Sequence, residues 1–329
     1  MLFRSALMFD LRSADFGTPH EQIYPAALEM AEYADRQGFD NIILAEHHGS
    51  PDGYCPVPSL FAAAAGARTK NIMITLCALV LPLHDPVKIA EAIAVTDLIC
   101  GGRLHTVLAA GYAHHEFAMF RKSMKDRGRA MDEGLEIITR ALSGERFLHG
   151  DREVFVRPLP KKMPQLYVGG GVPASARRAA KFNLGFNPLK PDLNALFEEE
   201  CRKLGRTPGP VFGRSVGTHC AEDVEKAWEE IGDYVLFMAK AYAAISADPS
   251  ESNSPLHGLD TIEKVRASGM IQILTPDQCV ELARTRHLAL MPLISGLPPQ
   301  IGWKSLELFT AKALPRIKML NQSITGGRT

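Results

Sequence analysis

The chain has 329 residues, and its 37 basic and 37 acidic side chains cancel to a formal net charge of zero. That balance argues against a nucleic-acid or anionic-membrane partner, either of which would favour a basic surface. Cys55, Cys77, Cys100, Cys201, Cys220 and Cys279 show no C-x-x-C spacing, early Arg4 and Asp10 disfavour a signal peptide, and no apolar run reaches the ~18 residues of a membrane span, so a cytoplasmic protein with reduced thiols is expected.

In chain order, strand and helix patterns alternate. Residues 3–9 read as a strand, and residues 20–37 as a helix with Ile23, Ala27, Met30, Ala31 and Ala34 at helical spacing, closed by Gly38. A second strand, 41–45, delivers Glu46-His47-His48 at its end, before a Pro- and Gly-rich loop and a helix over 59–68. Residues 72–81 are almost continuously apolar, as in a parallel strand covered on both faces. Asp85-Pro86 then supplies an N-cap and a first helical residue, and Gly101-Gly102 ends that helix. The strand over 104–110 runs into Gly111, which completes one βαβ unit.

A polar segment over 112–128 precedes a helix over 129–143, and His114-His115-Glu116 read as the start of a surface helix. Residues 146–164, rich in Pro, Arg and Lys, read as a small excursion. Strands are expected over 165–168, 184–186, 211–219 and 287–294, with helices over 173–182, 223–246 and 276–286 and a C-terminal helix ending near Leu320. The polar stretch 248–258 reads as a mobile loop and 321–329 as a frayed tail.

Eight strands alternating with helices suit an α/β protein, either an open doubly wound sheet or a (β/α)8 TIM barrel with insertions. The first strand is not followed by G-x-G-x-x-G, which favours the barrel as a single domain over residues 1–320 with a mobile insertion at 247–272. Active-site groups then belong at the C-terminal ends of strands. Gly169-Gly170-Gly171 lets a backbone approach a ligand, and the helix after it, with Val172 and Ser175 in its first turn, could cradle a phosphate or simply close a tight turn. His47 and His48 are adjacent on an extended segment and point to opposite faces, so they cannot readily chelate one metal. A metal hydrolase would need further ligands such as His84, His114 or His115, which show no recognisable spacing, and no metal is expected. The plain alternative is that both histidines only bond backbone carbonyls.

Several segments together resemble the bacterial luciferase-like flavin monooxygenase family. They are Glu46-His47-His48, LVLPLHDPVKIAE at 79–91, Asp97 with Gly101-Gly102-Arg103, GYAHHEF at 111–117, LYVGGG at 166–171, TPDQCVE at 275–281 and LFTAKALPRI at 308–317. The resemblance implies a (β/α)8 barrel that binds reduced FMN, or the related deazaflavin coenzyme, in its open mouth. It also implies a separate flavin reductase as transient partner, O2 as co-substrate, a small organic substrate and a homodimer formed near the helix at 59–68. His47 matches the family histidine that faces the flavin and assists proton transfer, a role suited to imidazole near neutral pH.

Cys77-Ala78 falls where the family carries a non-prolyl cis peptide beneath the flavin ring. Ala110, Gly111, Gly169, Gly170, Gly171, Val172 and Ser175 align with the cofactor site, and Phe9, Tyr54, Tyr112 and Trp303 are placed as pocket walls by position alone. The insertion becomes a lid over the flavin. Two positions depart from the pattern. Ala110 stands where luciferase has a phosphate-binding arginine, which leaves Arg178 or a deazaflavin preference as ways to compensate, and Leu274 stands where the family usually has glycine. The alternatives to a monooxygenase are a deazaflavin-dependent oxidoreductase that moves a hydride and a flavin-binding homologue without turnover.

Overall fold

The computed structural model describes residues 5–213, 215–245 and 258–326. Its first half runs β1 (Ser5–Phe9), α1 (His20–Gln37), β2 (Asn41–Leu44), α2 (Pro58–Arg68), β3 (Met73–Val80), α3 (Pro86–Ile99), β4 (Leu104–Ala109), α4 (His114–Met119) and α5 (Arg127–Leu142). Next come β5 (Phe147–His149), β6 (Arg152–Val154), β7 (Gln165–Gly170), α6 (Pro173–Lys181), β8 (Gly185–Pro188) and α7 (Leu193–Lys203). The remainder is β9 (Ser215–Cys220), α8 (Val224–Ile245), α9 (Ile262–Ser268), β10 (Ile271–Leu274), α10 (Pro276–Ala283), β11 (His287–Leu290), α11 (Pro299–Lys312) and α12 (Leu314–Gly326).

The chain divides into two compact units. One comprises residues 1–43, 50–55 and 215–329, the other residues 44–49 and 56–214. In the first, β10, β9, β11 and β1 pair in that order, every pairing parallel. Its core includes Trp228, Ile231, Val235 and Met238 of α8 against Val265, Ile271, Ile273 and Met291. In the second unit β3, β4, β7 and β8 form consecutive parallel pairs, so their C-terminal ends lie side by side. β5 and β6 form an antiparallel hairpin apart from that sheet.

Local chemistry accounts for the βαβ unit of the second body. Ile74, Leu76, Leu79 and Val80 are buried, as are Leu104, Val107 and Leu108. Asp85 caps α3, its carboxylate accepting from Val87 N at 2.9 Å and Lys88 N at 3.4 Å, with Pro86 in the first turn. Gly101 and Gly102 adopt φ values of 64° and 82°, the left-handed conformation that ends the helix without a Cβ penalty. Asp97 then accepts from Leu104 N at 3.2 Å, and Arg103 donates to the carbonyls of Gly66, Thr69 and Ile72 at 2.6–2.9 Å, satisfying the C-terminal end of α2.

Several expectations are corrected. The expected mobile insertion at 247–272 runs into a strand at 271–274, because Ile271 and Ile273 alternate into the core. Leu274 ends that strand, and Thr275 with Gln278 forms a full capping box, so the glycine of the family pattern is not needed there. α7 and α9 were not foreseen, the 146–164 excursion contains a hairpin, and the C-terminal helix is two helices that meet at Ala313. The seventh strand starts at Ser215 rather than Val211, which makes only an isolated bridge to Phe186. The sixth shifts to Gly185–Pro188. α12 continues through Gly326, past the expected end near Leu320, and the last three residues of the tail lie outside the described residues. So does the polar loop at 248–258 apart from Gly258, whereas the remainder of the expected lid, 258–272, is described and contains α9.

Candidate active site

Four residues after the end of β2 set the centre of the site. His47, 7 % exposed, places Nδ1 2.8 Å from Glu116 Oε1. The same carboxylate oxygen accepts from His48 N at 3.0 Å. A carboxylate is an acceptor only, so the imidazole donates through Nδ1, and Nε2 faces the other way. On that side stands Tyr112, its hydroxyl 3.4 Å from Nε2 and the two rings edge-to-face at 5.8 Å. The expected surface helix at His114-His115-Glu116 exists as α4, but Glu116 faces inward and is 1 % exposed, which corrects the reading of that segment as wholly superficial. His115 Nε2 donates to the His48 carbonyl at 3.0 Å, so α4 holds the histidine segment at three points.

As adjacent residues on an extended backbone should, His48 points away from His47. Its Nε2 lies 3.1 Å from Glu46 Oε1, and His84 Nε2 lies 2.7 Å from the same oxygen. Glu46 Oε2 accepts from Val80 N at 2.5 Å. Burial alone would raise the Glu46 carboxyl, yet the contacts from His48, His84 and Val80 overcome it and hold the pKa down at about 2. Glu46 therefore stays ionised and ties the end of β2 to the end of β3.

The Cys77-Ala78 peptide is cis, at the point where the register of β3 against β4 shifts between Cys77 and Leu79. Burial pushes the Cys77 thiol up to about 12, so it remains protonated, and its Sγ lies 3.8 Å from Asn187 Oδ1. Asn187 pairs with Gly169 in the β7–β8 register and donates from Nδ2 to the Phe212 carbonyl at 2.7 Å. Gly111 has φ 76°, and a Cβ there would lie 2.6 Å from Val80 and 2.9 Å from Phe117, so glycine lets the β4 end pack between them. The ends of β3, β4, β7 and β8 thus share one neighbourhood with the anchor of His47.

At the β7–α6 turn the structure gives what an anion needs from backbone alone. Val172 is 48 % exposed and Pro173, which has no N–H, opens the nine-residue α6; the Ser175 N–H already donates to the Val172 carbonyl at 3.0 Å, so the donors the turn can offer are the peptides ahead of Ser175. A Cβ on Gly170 would lie 2.8 Å from the Ser175 side chain, so glycine is required there for close packing. The turn fits a phosphate, but with two restrictions. The Ser175 hydroxyl, on a buried residue, donates to the Val172 carbonyl at 2.6 Å, and Arg178 is bonded to Asp132 at 2.9 Å and to the Gly128 carbonyl at 3.1 Å. Ala110 supplies no charge.

Tyr112 meets His47, whereas Phe9, Tyr54 and Trp303 belong to the other unit. Trp303 packs edge-on to Tyr33 at 5.3 Å. Tyr54 is buried against Arg12, whose guanidinium lies 4.4 Å from its ring and 4.7 Å from that of Tyr242. Sequence reading missed Glu116, Asn187 and the joint role of Glu46 and His84. The only local signal for Glu116 was an acidic residue immediately before the apolar Phe117.

Residues 7–290 match a family model described as luciferase-like monooxygenase. The 4-hydroxyprotoasukamycin monooxygenase of Streptomyces nodosus subsp. asukaensis is 26 % identical over 332 aligned positions, covering 91 % of this chain and 87 % of that protein. Monooxygenase RslO1 from Streptomyces bottropensis superposes with a TM-score of 0.74 at 22 % identity, covering 94 % of this chain and 99 % of its own. The oxygenating constituent of 3,6-diketocamphane monooxygenase from Pseudomonas putida, a type II Baeyer-Villiger monooxygenase solved with FMN, superposes with a TM-score of 0.69 at 20 % identity, covering 96 % and 99 %. The structural likeness establishes the fold, an α/β luciferase-like (β/α)8 barrel.

Proposed function

Because the chain belongs to the luciferase-like monooxygenase family, we propose that it is the cytoplasmic oxygenase component of a two-component system, taking reduced FMN from a separate reductase and using O2 to oxygenate a small organic substrate. The observation that carries this reading is the His47–Glu116 pair, a buried imidazole with one nitrogen anchored at 2.8 Å and the other presented beside Tyr112. Bound reduced flavin would supply the electrons for oxygen activation.

Within that reading the residues have distinct tasks. Glu116 fixes the tautomer and plane of His47, so that Nε2 can take a proton from, or return one to, the reacting substrate. The Cys77-Ala78 peptide and the Ala110-Gly111 segment would hold the flavin ring, the group that supplies the redox chemistry. The turn built by Gly169, Gly170, Gly171 and Val172 would hold the phosphate through peptide N–H groups, with Ser175 bracing it through its bonds to the Val172 carbonyl. Tyr112, beside His47, is a candidate for the substrate wall. A homodimer through α2 and α3 is supported by Leu60, Val95, Leu98 and Ile99, each between 43 % and 71 % exposed. No described helix is long and apolar enough to cross a membrane.

Ala110 and the engagement of Arg178 favour a second reading, a deazaflavin-dependent hydride transfer, since a charge-assisted phosphate contact is worth about 1.5–3 kcal/mol. Anaerobic titration with reduced FMN and with reduced deazaflavin, followed by mixing with oxygenated buffer, separates the two. Micromolar binding of reduced FMN, with reoxidation kinetics that differ from those of free reduced FMN, supports the monooxygenase. Binding of the deazaflavin alone supports the hydride enzyme, and binding of neither rejects both.

A further inference from the structure

We propose that Glu46, His48 and His84 form a binding site for one divalent transition-metal ion of the zinc class, distinct from the flavin site. Their ligating atoms, a carboxylate oxygen and two imidazole nitrogens, all lie within 4.8 Å of one another. Two of the three separations are 3.1 and 2.7 Å, both measured from Glu46 Oε1 to an Nε2. Zinc bonds such ligands at ~2.0–2.2 Å, so a tetrahedral set has edges of about 3.3 Å, which both separations from Glu46 Oε1 approach. Two neutral imidazoles and one carboxylate, with a further position open, are a donor set that suits zinc and its d-block neighbours.

The surroundings match what a metal centre requires beyond its ligands. Glu46 Oε2 is fixed by Val80 N at 2.5 Å, which orients the carboxylate from outside the ligand set. Phe120 packs edge-on to both imidazoles, 4.6 Å from His48 and 5.8 Å from His84, and sets their planes. The His84 side chain is 21 % exposed and offers a route in from solvent, while the other two ligands are buried. An ion here would pin the segment that carries His47, because His47 lies between two of the ligands. Hydrogen bonds alone also satisfy Glu46, so the proposal turns on metal affinity, which needs no flavin.

The test is zinc and cobalt(II) titration of the purified full chain after chelator treatment. Expected are one ion per chain and visible cobalt absorption of a four- or five-coordinate site. His84→Ala should weaken zinc binding by more than the roughly 10- to 100-fold typical of losing an outer-shell partner. His84→Cys should restore binding and add a thiolate-to-cobalt charge-transfer band in the near ultraviolet, a signature that a hydrogen-bonding role cannot produce. Absence of stoichiometric binding by the wild type, affinity unchanged in His84→Ala, or His84→Cys without the thiolate band would each overturn the site.

Discussion

His47 and Glu116 are 69 positions apart, yet a single carboxylate oxygen of Glu116 bonds both the ring of His47 at 2.8 Å and the backbone N of His48 at 3.0 Å. This double contact fixes side chain and main chain together. Glu116→Gln keeps an acceptor but loses the charge, and is expected to lower turnover by about 10- to 100-fold, within the range of general acid–base contributions, while flavin affinity stays near wild type. Imidazole 15N shifts offer a readout independent of substrate. The His47 resonances should report Nδ1–H in the wild type and a mixed tautomer in the variant, and identical spectra would remove the assigned role.

Arg12 is fully buried between Tyr54 and Tyr242, with the Asp52 carboxylate 3.4 Å away and that of Asp10 at 3.7 Å. Arg12→Ala leaves those carboxylates buried without their cation and should cost about 3–5 kcal/mol in urea unfolding. Arg12→Lys keeps the charge but not the planar stack, and should fall between.

Two buried groups of the first unit give opposite pH dependences. Burial raises Asp10 from 3.8 to about 6, against the lowering effect of Arg12, so the folded state binds the extra proton between those values and stability falls as pH rises through about 4 to 6. Burial lowers His219 from 6.5 to about 4, so its contribution is present above 6.5 and is lost as pH falls toward 4. Each shift of about two units corresponds to about 3 kcal/mol, and the two largely offset. Relative to wild type, Asp10→Asn should therefore lose stability on acidification from pH 6.5 to 4, and His219→Leu should gain it. Denaturant unfolding at pH 4, 5, 6 and 7 distinguishes these slopes, and parallel curves would reject them.

Gly170→Ala places a methyl 2.8 Å from Ser175 and should destabilise the chain by about 1–3 kcal/mol, with weaker flavin binding. At Gly171 the added carbon finds its nearest neighbour, Leu189, at 3.4 Å. That substitution should leave stability within about 0.5 kcal/mol, measured by the same unfolding curves.

Leu98→Asp, on the exposed apolar face of α3, should shift the protein to monomer in sedimentation velocity at micromolar concentration. A wild type that already sediments as monomer would remove the dimer.

What the sequence made legible was whatever local chemistry decides. Asp85-Pro86 and Gly101-Gly102 bracket α3 as expected, and α1 ends at Gln37 as expected because Gly38 takes φ 75°. The cis Cys77-Ala78 peptide was likewise marked, through resemblance. Glu116 was not, since its burial depends on a partner 69 residues away that no periodicity in a six-residue helix reveals. Ile271–Leu274 was missed for a related reason. Four residues are too few to show alternation, and the parallel partner that makes them a strand, β9, lies about fifty positions earlier in the chain.

The bond between Arg178 and Asp132 has a consequence for how ionic strength would act on cofactor loading. A phosphate gripped by an unshared guanidinium loses affinity steeply as salt rises, whereas one held by peptide dipoles, with the nearby cation already neutralised, is screened far less. Flavin capture by this chain should therefore persist in concentrated salt, and Asp132→Asn, by freeing Arg178, should raise the affinity at low ionic strength and make it fall as salt is added.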